Sequence, residues 1–205
     1  LNSFLRTHDS KLISELNLVA VDRAGFGRSS QLPVVPSLTQ QSQLIASLFD
    51  LNLSDRPIVI VGHSLGGSIG LRVASDHGEA VGALLSISAA LSPVLGQPRW
   101  YNRLAALPLV RHIVPRDLQL ANAEIMPLRG ELEILRGQLA KIRMPVTIIQ
   151  GSQDHLVSPD NADYAEDNLI NAQLKIDRFP DEGHFIVWSH VDHVVAEILR
   201  LSKQI

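Results

Sequence analysis

One serine in this 205-residue chain stands in a setting that could make it a nucleophile. Gly62-His63-Ser64-Leu65-Gly66-Gly67 follows the apolar run Pro57-Ile58-Val59-Ile60-Val61 and precedes a stretch with helical spacing. A G-x-S-x-G pattern between strand and helix holds its serine on a sharp, strained turn, where side chains at Gly62 and Gly66 are expected to meet neighbouring backbone. The helix that follows brings its positive end, and the free N–H of Leu65, beside the place where an oxyanion would form. A serine hydroxyl attacks only when a base takes its proton, and an acid must hold that base in one tautomer. Gly151-Ser152-Gln153-Asp154, after the apolar run Val146–Gln150, offers the acid. Pro180-Asp181-Glu182-Gly183-His184-Phe185, after Leu174–Phe179, offers the base. Both loops lie just past the carboxyl end of a strand, the edge where open α/β sheets gather catalytic groups. Read singly, the three could be an N-capping serine, a turn aspartate and a loop histidine. Their order and shared placement favour Ser64, Asp154 and His184 as nucleophile, acid and base of acyl transfer to water.

Other candidates fit less well. His63 adjoins Ser64 but leaves the turn in another direction, as a packing or support residue. His155 is too close to the acid to bridge it to the serine, and Asp160 and Asp163 read as capping charges at the start of a helix. His190 and His193 stand at i and i+3 on the last helix without a third ligand by spacing, which favours a solvated helix face over a metal site. There is no G-x-G-x-x-G and no phosphate loop, so neither a metal nor a cofactor is expected.

Positioning those groups requires strands alternating with helices. Leu18–Val21, Pro57–Val61, Val81–Ile87, Pro145–Gln150 and Leu174–Phe179 read as strands, largely apolar and so buried on both faces of a mostly parallel sheet. Helices are expected at Gln40–Leu51, at about Leu65–Ser75 and at about Ile186–Leu201, the last with a broad apolar face. Residues 91–140 differ: Pro93, Pro98, Pro108, Pro115 and Pro127 break that segment into short helices. It reads as a small helical cap inserted into a core made of residues 1–90 and 141–205, with Trp100, Tyr101 and Leu104–Val110 as candidates to line an acyl pocket. Arg99, Arg103, Arg111 and Arg116 make the cap locally basic; a solvated surface is favoured over a site for a substrate carboxylate.

The net charge of −3 gives no electrostatic case for nucleic acid or an anionic membrane as partner. No apolar run approaches the ~20 residues that span a bilayer. Cysteine is absent, which excludes disulfides and fits a reducing, cytoplasmic compartment.

These motifs resemble those of the α/β-hydrolase superfamily over nearly the whole chain. Besides the serine turn, Asp22-Arg23-Ala24-Gly25-Phe26-Gly27-Arg28-Ser29 looks like that family's turn after its fourth strand. Gly151-Ser152-Gln153-Asp154-His155-Leu156-Val157 resembles its acid loop and Gly183-His184-Phe185 its histidine loop. The resemblance implies a serine hydrolase of esters or similar acyl bonds acting on a small-molecule substrate, with Leu65 as one oxyanion donor. The serine also sets the chain apart from relatives with an aspartate nucleophile. A ligand-binding protein that keeps the fold without turnover is the alternative. At the front the resemblance fails. The family's first three strands, and the His-Gly loop that carries its second oxyanion N–H, find no match in Leu1 to Leu16, which reads as the following helix. An N-terminally incomplete copy is therefore expected, with strands Leu18–Val21 and Pro57–Val61 flanking a gap whose buried unmet groups would each cost about 1–3 kcal/mol.

Overall fold

The runs rich in valine and isoleucine become strands because β-branched side chains pack well on a pleated, buried surface. A computed structural model describes residues 16–51, 57–111 and 113–205. The helix expected from Leu1 to Leu16 lies outside them apart from its last residue. Strands β1 (Ile58–His63), β2 (Val81–Ile87), β3 (Pro145–Gly151) and β4 (Gln173–Phe179) form a wholly parallel sheet in that order. Four of the five expected strands thus stand within two residues of their expected bounds. The fifth does not. Residues 16–23 form no strand, and Leu18, Val19 and Val21 are exposed. Their apolar content confers β-propensity, but a strand exists only where a ladder partner accepts its backbone, and none pairs with this segment among the described residues.

Helix α1 (Leu38–Ala46) begins where Ser37 Oγ accepts the N–H of Gln40. Glu131 accepts from both Ser37 Oγ and the Leu38 N–H, at 3.1 and 2.7 Å. The helix ends short of the expected Leu51, with a 3₁₀ turn at Phe49–Leu51. It buries Leu38, Gln41 and Ser42, while Leu44 is exposed. Helix α2 (Leu65–Asp76) follows β1 directly. Between β2 and β3 lie α3 (Trp100–Ala105), α4 (Pro108–Arg111), α5 (Arg116–Ile125) and α6 (Leu128–Arg136). Pro108 opens α4, and Pro115 and Pro127 stand just before α5 and α6. Proline is tolerated there because the first helical turn has no acceptor for its N–H groups. After β3 come α7 (Asn161–Asn168), then α8 (Ile186–Ser189) and α9 (Val191–Ser202) beyond β4. The last two were expected as one helix. His190, at φ −122° and ψ 46°, interrupts it, and its ring bonds Glu182 at 2.8 Å.

Side-chain alternation along β2 sends Leu84 to one face of the sheet and Ala83, Leu85 and Ile87 to the other. One core gathers Leu84, Val146 and Ile148 with Leu71, Val73, Leu132, Leu135 and Ala165 of α2, α6 and α7. The second gathers Leu85, Ile87 and Ile149 with Ile186, Val194, Ile198 and Leu201 of α8 and α9. Each fully buried leucine contributes roughly 2 kcal/mol. Helices thus cover both faces and hold the carboxyl ends of four strands at one edge. No described helix is long and apolar enough to cross a membrane.

Candidate active site

Ser64 sits between β1 and α2 with φ 55° and ψ −125°, outside the conformations that side-chain-bearing residues favour. Such strain costs of order 1–3 kcal/mol and survives only where the surroundings impose it. Here the Ser64 N–H donates to the Ile87 carbonyl at 2.8 Å, and the Gly67 N–H to the Ser64 carbonyl at 2.9 Å. A Cβ on Gly62 would overlap the Gly66 carbonyl, and one on Gly67 would meet Ala89 and Ser86. The expectation for Gly66 needs correction: nothing lies within 4 Å of where its Cβ would be. The steric pair is Gly62, which lies against the Gly66 and Gly67 backbone of α2, and Gly67, which lies against Ser86 of β2 and Ala89 just beyond it. Leu65 opens α2, so its N–H is among the first four of the helix and has no acceptor within it.

The other two loops are joined to each other by backbone. Ser152 N–H donates to Phe179 O at 2.9 Å, and Gln153 N–H to Glu182 O at 2.8 Å. The loops run so close that a Cβ on Gly151 would overlap the carbonyls of Glu182 and Gly183. This contact brings Asp154 and His184, both buried, side by side. His184 Nδ1 lies 2.8 Å from Asp154 Oδ2, and its Nε2 lies 3.1 Å from Ser64 Oγ. With the proton on Nδ1, His184 donates to the carboxylate and accepts from the serine. The other carboxylate oxygen accepts the N–H groups of Leu156 and Val157, each at 2.8 Å. Burial alone pushes the Asp154 carboxyl up, but the bonds from His184, Val157 and Leu156 and the charge of His184 outweigh it. The net result is a carboxyl below its ordinary value. A buried carboxylate so satisfied stays ionised and can orient an imidazole.

Three of the residues singled out in the sequence therefore meet in one line, and Leu65 adjoins them. Trp100 and Tyr101 do not join that line: 75% and 41% exposed, they face each other edge to face at 5.9 Å on α3. His63 turns from the serine and lies against the His184 backbone. His190 and His193 diverge to Glu182 and Asp177. Asp177, His193 and Glu197 could together face a cation, but Lys175 already bonds both carboxylates, at 2.9 and 2.6 Å, and Arg200 bonds Glu197. Arg99 donates to the carbonyls of His155 and Leu156, tying α3 to the acid loop. Arg116 donates to the Ser30 carbonyl at 2.8 Å. Arg23 pairs with Glu124, which is 2% exposed. Burial pushes the Glu124 carboxyl above its ordinary value, and Arg23 and Gln41 only partly offset this. Sequence reasoning missed these ties, because their partners are far apart in the chain.

Residues 3–198 match the sequence model of the alpha/beta hydrolase family. The lipase LipV of Mycobacterium tuberculosis is 30% identical over 155 residues, covering 74% of this chain and 52% of that protein. WAV2 of Arabidopsis thaliana, an alpha/beta hydrolase domain-containing protein, is 24% identical over 190 residues, covering 84% and 55%. The chain spans about half the length of these curated relatives. Among solved structures, an esterase from Exiguobacterium antarcticum is similar in fold with a TM-score of 0.70 at 20% identity, over 98% of this chain and 87% of that one.

Proposed function

Because the chain belongs to the alpha/beta hydrolase family, we propose that it hydrolyses a carboxylic ester or similar acyl bond through an acyl-enzyme on Ser64. The observation that carries this is the unbroken line from Ser64 Oγ through His184 to Asp154, at 3.1 and 2.8 Å. Ser64 Oγ attacks the substrate carbonyl as its proton passes to His184 Nε2. The Leu65 N–H, at the positive end of α2, donates to the oxyanion. His184 then gives the proton to the leaving alcohol, and water repeats the cycle on the acyl-enzyme through the same base. Asp154, anchored by Leu156 and Val157, keeps His184 in the Nδ1–H tautomer and balances the imidazolium. The lipase and esterase named above support an ester as substrate. Residues 91–140 are read as a cap over this edge, with Trp100 and Tyr101 as candidates to meet the acyl chain.

A fluorophosphonate probe tests the reading, since it phosphonylates only an activated serine. The folded chain is expected to take one label and Ser64→Ala none. A folded sample that takes no label would favour a ligand-binding protein without turnover.

A further inference from the structure

His63 is the last residue of β1 and the neighbour of Ser64. Its Nε2 lies 2.8 Å from the carbonyl oxygen of His184. A carbonyl only accepts, so this contact requires the proton on Nε2 of His63. Its ring lies 4.8 Å from that of His184, tilted by 49°, and meets Trp188 edge to face at 5.2 Å. Phe185 closes the circuit, 5.4 Å from His184 and 5.7 Å from Trp188. The candidate base is thus one of four rings in contact around a circuit, with His63 and Phe185 against it and Trp188 joining those two.

The bond from His184 to Asp154 orients the imidazole but does not fix its distance from the serine, which rides on a different strand. His184 follows Gly183, where the chain is least restricted. We propose that His63 is a positioning residue: its Nε2–H, bonded to the His184 carbonyl, ties the peptide carrying the base to the strand carrying the nucleophile, and so sets their separation. This inference rests on the roles given above to Ser64 and His184. A neutral ring suits the task, since a charged one would oppose the imidazolium that forms on His184. Burial first, and the proximity of His184, hold His63 below its ordinary value, against the His184 carbonyl and Asp154, which act the other way.

The test combines tautomer assignment with two substitutions. In the full chain labelled with ¹⁵N-histidine at pH 7, His63 is expected as the neutral Nε2–H tautomer. His63→Leu keeps bulk and removes the donor. It is expected to slow fluorophosphonate labelling by about 10–100-fold, as a misplacement near 1 Å does, and to move the His184 Nδ1–H resonance. His63→Gln, whose amide nitrogen reaches to about the same place, is expected to restore most of the rate and the resonance. An Nδ1–H tautomer or an imidazolium at His63 would overturn the inference. So would labelling and a His184 resonance unchanged in His63→Leu, or rates in the two variants that fall equally. If the unaltered chain takes no label, yet His63 carries its proton on Nε2 and the His184 resonance responds as expected, the hydrolase reading fails and the positioning stands.

Discussion

Asp154 is held far more tightly than an isolated turn aspartate. One of its oxygens is saturated by two backbone N–H groups and the other receives His184, so neither the carboxylate nor the imidazole can rotate independently. Asp154→Asn preserves shape, but its amide can no longer select the Nδ1–H tautomer. Fluorophosphonate labelling is expected to slow by about 10³–10⁴-fold with a cooperative melt retained; a rate within tenfold of the parent would argue against Asp154 as the acid. Glu124 is the opposite case, a buried carboxylate whose ordinary state is disfavoured by its site and supported by Arg23. Arg23→Met leaves that charge without its partner, a loss of about 3 kcal/mol. Protonation of Glu124 relieves the loss, so denaturant melts should show a larger deficit at pH 8 than at pH 5. Ser64, Asp154 and His184 were legible because each lies beside a strand end within a short local motif. Arg23 and Glu124 were not, since no local pattern pairs residues 101 positions apart.

At the scale of elements, the serine turn depends on how closely α2 approaches β1 at Gly62 and β2 and the residues beyond it at Gly67. Gly62→Ala and Gly67→Ala would drive a methyl into backbone or into the Ala89 and Ser86 side chains, and each is expected to cost about 1–3 kcal/mol or more of stability, as overpacking does. Gly66→Ala meets open space within a helix and is expected to raise stability by up to about 1 kcal/mol. Melting of the three variants checks this, and an equal loss in all three would contradict it. Strands β1, β2 and β3 could be read because each is dominated by apolar residues between turn residues, and β4 because Leu174, Ile176 and the closing Phe179 stand among charged residues just before a turn. Leu18–Val21 has the same composition and no partner, which shows that composition reports propensity and not pairing. The last helix misled for a related reason: its apolar face continues from Ile186 to Leu201, but His190 leaves the helical region while bonding Glu182. Periodicity cannot register a single residue drawn aside by a side-chain contact.

Over the whole molecule, the buried carboxylates act on stability in opposite directions. The Asp154 carboxyl lies below its ordinary 3.8, so its stabilisation is present above that pH and is lost as pH falls through the lower folded value. Glu197 follows the same rule from 4.5: burial raises it, but Lys175 and Arg200, which bond it across β4 and α9, win. Glu124 lies above its ordinary 4.5, so the folded state binds that proton more tightly than the unfolded chain does. Its favourable contribution is complete below 4.5 and is lost as pH rises through the higher folded value. As pH rises the fold therefore loses the stability contributed by Glu124 and gains that contributed by Asp154 and Glu197. Neutral substitutions separate the terms. In scanning calorimetry from pH 3 to 7, the melting temperature of Glu124→Gln relative to the parent should rise with pH, because only the parent ionises there. That of Asp154→Asn relative to the parent should fall over the same range, because only the parent gains a well-bonded carboxylate. A Glu124→Gln difference that fell with pH would mean that the joint between residues 22–30 and α5 is not strained by its charge, and an Asp154→Asn difference that rose would mean that the bonds to Asp154 do not stabilise its carboxylate.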